Sequence, residues 1–170
     1  FADMVVFAIM FGCFMADRAK APELFEASRQ ALSQTHGGIN TLLLLTSSMF
    51  VVLAIDAVKA GRTHWVTRCF GLALLCGLAF MGSKVYEYSL KFDAGISLLT
   101  NPFYMYYFIM TGLHLIHVTA GNIVLAVFCH KSRATTGDGL SLNVYEAGAT
   151  YWHMVDLLWV CIFPLFYLVR

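Results

Sequence analysis

Long apolar runs, separated by short charged segments, are the feature that most constrains the fold of this chain. Hydrophobic residues make up 59% of its 170 residues, and charged residues only 12%. A soluble domain of this size is usually about half apolar and roughly a quarter charged. Because so few charged groups cannot cover a water-facing surface, we expect the excess apolar surface to face lipid.

These runs predict transmembrane helices rather than barrel strands. In hydrocarbon, every backbone polar group must find a partner within the protein, which only helices and closed barrels achieve. Barrel strands alternate polar and apolar residues over about ten positions, whereas these runs are longer and apolar on all sides. The sequence therefore predicts an all-α membrane protein, a bundle of five transmembrane helices in one domain over residues 1–170. The predicted helices cover residues 1–16, 39–58, 66–86, 103–129 and 147–169.

Local signals indicate where some of these helices begin and end. Asn101 and Pro102 form a good helix start, because Asn caps a helix and Pro suits its first turn. Pro164 is expected to kink the last helix. The first run covers only roughly 24 Å of a hydrocarbon core of about 30 Å. Since the chain also begins on Phe1 rather than Met, we expect further residues upstream of this sequence.

Aromatic and basic residues bear on the position of the chain in the membrane. An aromatic cluster at one end of the third and fourth predicted helices is typical of an interfacial belt. The cluster comprises Tyr86, Tyr88, Phe103, Tyr104, Tyr106 and Tyr107. The orientation is left open, because the loops on either side of the membrane each hold five Lys and Arg residues and the positive-inside rule requires an excess.

Composition argues against two classes of function. The net charge is +1 and the basic residues are scattered, whereas a nucleic-acid partner requires a concentrated basic patch. The five cysteines form no CxxC pair, and a thiol-oxidising protein needs paired, accessible thiols. We therefore predict no nucleic-acid partner and no thiol chemistry.

Several ionisable residues lie in or near the predicted helices, where a charge needs a partner or a role. Lys84, Glu87 and Lys91 are spaced three and four apart, so they share a helix face and can pair. They lie near the end of the helix, where long side chains reach the headgroups; the alternative is a functional carboxylate at Glu87. Asp3 has no cation within four residues, and it is either solvated at the interface or a protonatable group that faces a partner subunit.

Histidine and aspartate residues are spaced three apart on the last two helices. His114 and His117 lie on the fourth helix, and His153 and Asp156 lie on the fifth. A neutral imidazole offers one donor and one acceptor. If these helices touch, the four side chains can form a structural polar network between them.

Two other functions remain open from the residues alone. In one, the chain is a small membrane b-type cytochrome that uses His114, His117 and His153 as haem ligands. In the other, it translocates protons along a route formed by carboxylates, namely Asp3, Glu87 and Asp156.

Four blocks of the sequence resemble subunit III of the haem-copper oxidases. Residues 145–156, YEAGATYWHMVD, resemble the family segment EAG-x-x-YWH-x-VD, and residues 111–118, TGLHLIHV, resemble TG-x-H-x-x-HV. Residues 40–48, NTLLLLTSS, and residues 86–88, YEY, resemble two further blocks. Asp3 falls where the family carries an intramembrane acid, usually Glu.

This resemblance implies a subunit that binds no haem, copper or other metal and has no catalytic residues. It would pack against a catalytic haem-copper subunit, support the stability of the complex and assist proton delivery. Haem, and copper or non-haem iron, would belong to that partner, and lipids would occupy clefts. With Glu146 of the C-terminal block, the predicted structural polar network comprises His114, His117, Glu146, His153 and Asp156, while Asp3 and Glu87 are the intramembrane or interfacial carboxylates.

Within the family, the sequence resembles the five-helix bacterial form rather than the larger form with seven spans. Five spans also occur in the subunit III-like protein associated with nitric oxide reductases. The short loops, Asp3 and residues 103–108, FYMYYF, resemble that protein somewhat more closely. The resemblance thus implies a multi-pass protein of the bacterial inner (cytoplasmic) membrane, in a terminal oxidase or a nitric oxide reductase.

Overall fold

The computed structural model describes residues 2–30, 32–97, 99–133 and 141–168, and the regular structure within them is entirely helical. Phe1 and Val169, at the outer limits of the first and last predicted helices, lie outside the described residues. The elements are α1 Ala2–Lys20, α2 Pro22–Gln30, α3 Gln34–Lys59, α4 Thr63–Asp93, α5 Pro102–Arg133, α6 Leu142–Phe163 and a π-helical turn Pro164–Leu168.

Among the described residues, four segments are long and apolar enough to cross a membrane: α3, α4, α5 and the continuous segment Leu142–Leu168. They confirm an all-α, multi-pass membrane protein. The first predicted span corresponds to α1, which is not among the four. That helix is 19 residues long, with Asp3 in its first turn and charged residues near its end.

Helix ends follow the local signals in the sequence. The Asn101 side-chain oxygen accepts a hydrogen bond of 3.0 Å from the backbone N–H of Tyr104, and α5 begins at Pro102 as predicted. Because proline has no N–H to continue an α-helical ladder, the chain changes geometry at Pro164. The change takes the form of a π-helical turn that carries Tyr167.

The helices run alternately in opposite directions, because short connections join α3 to α4 and α4 to α5. One end of the bundle, here named the α2 end, therefore contains the starts of α3 and α5, the ends of α4 and α6, and the short helix α2. The contacts of α1 show that it runs antiparallel to α5. Asp17 accepts a hydrogen bond of 2.8 Å from the Tyr106 hydroxyl, and Asp3 lies 3.5 Å from the His117 ring.

The short helix α2 is absent from the sequence prediction. Its Phe25 ring packs against the rings of Phe14 and Phe103, with centroids 5.3 and 5.7 Å apart. The helix is therefore anchored across the end of the bundle. Pro22 is a helix-start signal, but nine residues with four charged or amide side chains give no transmembrane pattern.

The polarity of the bundle is inverted relative to that of a soluble protein. Many large apolar side chains are exposed on its outer surface, among them Ile9, Leu42, Leu75 and Ile116. Several polar side chains are instead buried among the helices, namely Ser28, Asn40, Ser47, Lys84, Glu87, Lys91, Thr111, His114, Asn122 and Asp156. Such a large exposed apolar surface is suited to contact with lipid or other membrane helices.

The aromatic cluster at the α2 end differs from the predicted interfacial belt. Phe103, Tyr104 and Tyr107 are buried, Tyr88 and Tyr106 are partly buried, and only Tyr86 of the six is exposed, at 58%. The rings are buried because α1, α2 and the π-helical turn pack over them, as shown by the Phe14–Phe103 and Phe103–Phe166 ring contacts. Most of these residues therefore form a core.

Candidate functional site

A buried ion pair lies at the centre of the α2 end. Lys84 is only 1% exposed, and its ammonium lies 2.7 Å from the Glu87 carboxylate, one helical turn away on α4. The pairing predicted from the spacing is confirmed. The Lys84 side chain does not reach outward to the membrane surface, however, because the aromatic residues of α5, α6 and the π-helical turn enclose it.

Hydrogen bonds from neighbouring elements complete this ion pair. The Tyr167 hydroxyl donates to Glu87 Oε1 at 2.8 Å and accepts from Lys84 Nζ at 3.1 Å. The Tyr107 hydroxyl also accepts from Lys84 Nζ, at 3.4 Å, and the Trp159 ring centroid lies 4.6 Å from the same nitrogen. A buried ion pair needs such additional partners, because the cost of desolvating two charges otherwise exceeds their attraction.

The π-helical turn that carries Tyr167 is itself fixed by polar contacts. The backbone carbonyl oxygen of Tyr167 accepts hydrogen bonds from the side chains of Arg29 in α2, at 3.3 Å, and Gln34 in α3, at 3.1 Å. Arg29 also donates to Glu26, and this hydrogen bond lowers the pKa of the Glu26 carboxyl below its ordinary value. Tyr167 is therefore positioned over Lys84 by α2 and by the start of α3.

Lys91, the third member of the predicted cluster, does not share in the ion pair. Its side chain is 7% exposed, and within the described residues its ammonium has no hydrogen bond or ion pair. Its Nζ faces two aromatic rings, 5.8 Å from the Tyr104 centroid and 5.7 Å from the Tyr107 centroid. The cluster thus holds two cations and only one carboxylate.

Asp3 contacts a histidine that is distant in the sequence. One of its carboxylate oxygens lies 3.5 Å from Nε2 of His117, and the Asp3 side chain is half exposed. The other ring nitrogen of His117, Nδ1, lies 2.8 Å from the Leu113 carbonyl. Because a carbonyl can only accept, Nδ1 carries a proton in this contact. The imidazole therefore connects α1 to the backbone of α5.

His153 and Glu146 lie on α6, and each has a partner on α3. His153 Nδ1 lies 2.6 Å from the Ser48 hydroxyl, and the Glu146 carboxylate is paired with the Lys59 ammonium at 2.9 Å. Ser48 and Lys59 are not among the site residues predicted from the sequence. Both contacts join α3 to α6, whereas the sequence suggested contacts between α5 and α6.

His114 and Asp156 are buried, and each carries at least one polar atom without a partner in the described ranges. The His114 ring meets the Phe80 ring edge to face, with centroids 5.8 Å apart, and lies 5.4 Å from the Trp159 ring. Both imidazole nitrogens and one oxygen of Asp156 lack a hydrogen bond. No hydrogen bond between described residues links any two members of the predicted five-residue network, so a joined network stays a prediction.

The geometry of these histidines does not suit a haem. A haem iron accepts two axial protein ligands, so two of the imidazoles of His114, His117 and His153 would have to face one iron. Each ring instead contacts a different set of neighbours, namely the Trp159 ring, the Leu113 carbonyl and the Ser48 hydroxyl. Across residues 2–30, 32–97, 99–133 and 141–168, no group of three or more His, Cys, Asp or Glu side chains could hold a metal ion. The arrangement is that of packing contacts between helices.

Two residues of the buried site were not found by sequence reasoning. Tyr167 follows Pro164, and its position over Glu87 depends on the π-helical turn, which no sequence signal indicates. Trp159 lies one helical turn beyond Asp156 on α6. The spacing places both on one helix face, so it could have indicated that Trp159 faces the buried polar residues. Tyr107 was noted in the sequence but assigned to an interfacial belt, because its inward orientation depends on the packing of α1 and α2.

Comparisons with known proteins agree with the resemblance seen in the sequence. Residues 35–169 match the family model described as Cytochrome c oxidase subunit III. The cytochrome c oxidase subunit 3 of Alkalihalophilus pseudofirmus is 34% identical over 174 residues, covering 98% of this chain and 81% of that protein.

Two further relatives extend the comparison to other bacterial groups. The cytochrome c oxidase subunit 3 of Synechocystis sp. is 27% identical over 169 residues, covering 99% of this chain and 71% of that protein. The cytochrome c oxidase subunit 3 of Corynebacterium diphtheriae is 26% identical over 173 residues, covering 99% and 83%. Together with the four apolar spans, the family match over residues 35–169 shows that this chain belongs to the cytochrome c oxidase subunit III family.

Proposed function

We propose that this chain is a non-catalytic subunit of a haem-copper respiratory complex, in which it packs against the catalytic subunit and supports assembly and stability. The family match over residues 35–169 is the observation that carries this proposal. Haem, and copper or non-haem iron, then belong to the partner. The matched relatives are bacterial proteins named cytochrome c oxidase subunit 3, which favours a terminal oxidase in the bacterial cytoplasmic membrane.

The contacts within the chain support a structural role. The Lys84–Glu87 pair is satisfied by tyrosines of the same chain, and the Glu146 carboxylate is paired with Lys59. The outer surface is rich in exposed apolar side chains. A subunit of this kind can pack against another membrane protein and against bound lipids without contributing a redox centre.

We further propose that α1 is a fifth span. Its 19 residues extend about 28 Å at the usual helical rise of about 1.5 Å per residue, close to the thickness of the hydrocarbon core. It runs alongside α5, with Asp3 near His117 and Asp17 bonded to Tyr106. Two contacts far apart on α5 support a crossing rather than a position at the membrane surface.

The location of the two ends of α1 tests this proposal. An epitope tag before Phe1 and a cysteine introduced by Glu23→Cys should be reached from opposite sides of sealed vesicles by antibody and by an impermeant maleimide. A cysteine introduced by Ser141→Cys, at the start of α6, provides a reference on the side of the tag. Labelling of the tag and Glu23→Cys from the same side would contradict the fifth span.

A role in proton delivery is the second part of the proposal, and the Asp3–His117 contact supports it. The carboxylate is half exposed, and it lies 3.5 Å from an imidazole held by the Leu113 carbonyl. A titratable pair in this position could exchange protons with a neighbouring subunit. In the assembled complex, Asp3→Asn should then slow turnover without lowering the amount of complex. Unchanged turnover would restrict the chain to assembly.

Copurification tests the main proposal. An affinity tag on this chain should recover a large haem-bearing subunit from solubilised membranes, and the isolated 18.9 kDa chain should show no Soret band. Oxygen and nitric oxide consumption by the recovered complex would distinguish an oxidase from a nitric oxide reductase.

A Soret band from the isolated chain that disappears in His117→Ala or His153→Ala would instead support a b-type cytochrome. Proton flux in proteoliposomes of the isolated chain, lost in Asp3→Asn, would support a translocator.

The predicted polar residues provide a second test of the assembly role. If the structural polar network forms in the assembled complex, Asp156→Leu and His153→Leu should lower the yield of the complex, because each would leave polar partners in that network unpaired at a cost of about 1–3 kcal/mol per group. Leu157→Met, at an exposed position beside Asp156, serves as the control. Normal yields from both variants would count against a structural polar network of His114, His117, Glu146, His153 and Asp156.

A further inference from the structure

A cavity of about 370 Å³ opens between α3 and α6, at the end of the bundle opposite the α2 end. Three charged side chains near the outer ends of these helices belong to its lining, namely Asp56, Lys59 and Glu146. The imidazole of His153 also lines it, although His153 lies two helical turns further into the bundle than Glu146. The cavity therefore connects the charged surface at this end to a half-buried titratable group.

The Ser48 hydroxyl continues this polar connection into the bundle. Its oxygen lies 2.6 Å from His153 Nδ1. The Asp156 carboxyl lies one helical turn beyond His153 on α6, and Ser48 and His153 are the side chains whose polar groups act on it. A hydroxyl offers one donor and accepts as well. Ser48 can therefore accept a hydrogen bond from His153 and donate one to Asp156 at the same time.

Asp156 lies deep in the membrane span. It follows Glu146 by ten residues on α6, which corresponds to about 15 Å, or roughly half of the hydrocarbon core. It is 7% exposed, and no lysine or arginine among the described residues acts on its carboxyl. In such surroundings an ionised carboxylate without a cation is far more costly than a neutral carboxylic acid. The position thus favours a carboxyl group that holds a proton.

The polar connection ends at Asp156. Its Oδ1 atom has no hydrogen bond within the described part of the chain. The residues that flank it on the same face of α6 are Trp152 and Trp159, whose side chains are buried. A route that also uses Glu87 does not follow from these contacts, because Glu87 is paired with Lys84 at the α2 end. The arrangement is that of a site which fills and empties from one side of the bundle.

We propose that Asp156 is a proton-binding site, which exchanges its proton with the cavity between α3 and α6 through Ser48 and His153. When a proton binds His153 Nε2, the Nδ1 proton passes to the Ser48 oxygen and the hydroxyl proton passes to the Asp156 carboxylate. Asp156 becomes a neutral carboxyl, Ser48 remains a hydroxyl and His153 returns to its neutral form as the other tautomer. The site is separate from the Asp3–His117 pair, and it does not depend on the identity of the catalytic partner.

Infrared spectroscopy of the full chain in phosphatidylcholine vesicles tests the site. At neutral pH, where solvated carboxyl groups are ionised, the chain should show the C=O band of a protonated carboxyl. Transfer into D2O should shift this band to lower frequency, because its proton exchanges. The band should be absent from Asp156→Asn. Absence of the band from the unmodified chain, or its persistence in Asp156→Asn, would overturn the proposal.

Isotope labelling assigns the band without relying on the folding of a variant. In the unmodified chain, aspartate labelled with 13C at its side-chain carboxyl should shift the C=O band, whereas glutamate labelled at the same group should not. A shift with labelled glutamate alone would assign the proton to another residue and overturn the site.

Variants of Ser48 test the path of the proton. Ser48→Ala should retain the band but slow its exchange into D2O about a hundredfold or more, the smallest effect expected of a positioned proton-transfer group. Ser48→Thr keeps a hydroxyl and should restore fast exchange. Ser47→Ala is the matched control, because the neighbouring Ser47 hydroxyl donates to the Ala73 carbonyl of α4. Equal exchange rates in Ser48→Ala and the unmodified chain would overturn the proposed path.

Discussion

Lys84 and Glu87 form an ion pair of 2.7 Å in which the side chains are 2% and 10% exposed, on a helix that crosses the membrane. Tyr167 contacts both charges, so the pair connects α4 to the C-terminal turn. In a bundle whose outer surface is apolar, such a contact fixes how the helices fit together. Removing one partner of such a buried ion pair costs much stability, whereas replacing both partners by apolar residues costs little.

Single and double substitutions of this pair should therefore differ in a characteristic way. Lys84→Met or Glu87→Gln alone leaves one buried charge without its partner, which typically costs about 3–5 kcal/mol. The double variant removes both charges and should lose less stability than the more damaging single variant. Thermal unfolding of the purified chain in detergent measures the three effects. Additive losses in the double variant would mean that the two side chains are not coupled.

Tyr167→Phe should destabilise the chain through the same cluster. The substitution preserves the ring but removes the hydroxyl that donates to Glu87 and accepts from Lys84. Since hydrogen bonds to charged groups contribute about 1.5–3 kcal/mol, we expect a loss in that range. Tyr86→Phe is the matched control, because Tyr86 is exposed on α4. A loss of similar size in both variants would contradict the proposed role of the Tyr167 hydroxyl.

The contacts that sequence reasoning found are those between residues one helical turn apart. The spacing of Lys84 and Glu87 was sufficient, because it places both on one face of any α-helix. Asp3 has no cation near it in the sequence, and its contact with His117 of α5 follows from no local pattern. The helices α5 and α6 do touch, since the Tyr151 hydroxyl donates to the His117 carbonyl. The partner of His153 was nevertheless missed, because the sequence does not state which side of α6 faces α3, and His153 meets Ser48 of that helix.

Glycine positions on α5 offer a prediction about helix packing. A Cβ atom at Gly121 would lie 2.6 Å from the Trp152 ring of α6, whereas a Cβ atom at Gly112 would have no neighbour within 4 Å. Gly121→Ala should therefore lower the free energy of unfolding by about 1–3 kcal/mol, since overpacking forces helices apart. Gly112→Ala should preserve or raise it, because alanine favours the helix by roughly 1 kcal/mol. Equal Tm changes in both variants would contradict the close contact of α5 with α6.

His114 allows a packing role to be distinguished from a polar network. Its ring is fully buried between Phe80 and Trp159, and neither nitrogen has a hydrogen bond within the described ranges. A buried polar group without a partner costs about 1–3 kcal/mol, so replacement by an apolar side chain of similar size removes that cost. We expect His114→Leu to retain or raise the Tm of the isolated chain.

The same comparison at His153 should give the opposite sign. His153→Leu removes the 2.6 Å contact with Ser48 and leaves that hydroxyl without its partner on α6, so the Tm should fall. A network that includes both histidines requires both variants to lose stability. A fall of more than about 1 kcal/mol in His114→Leu would therefore show that its imidazole has a polar partner in the membrane-embedded protein, and would favour the network over a packing role.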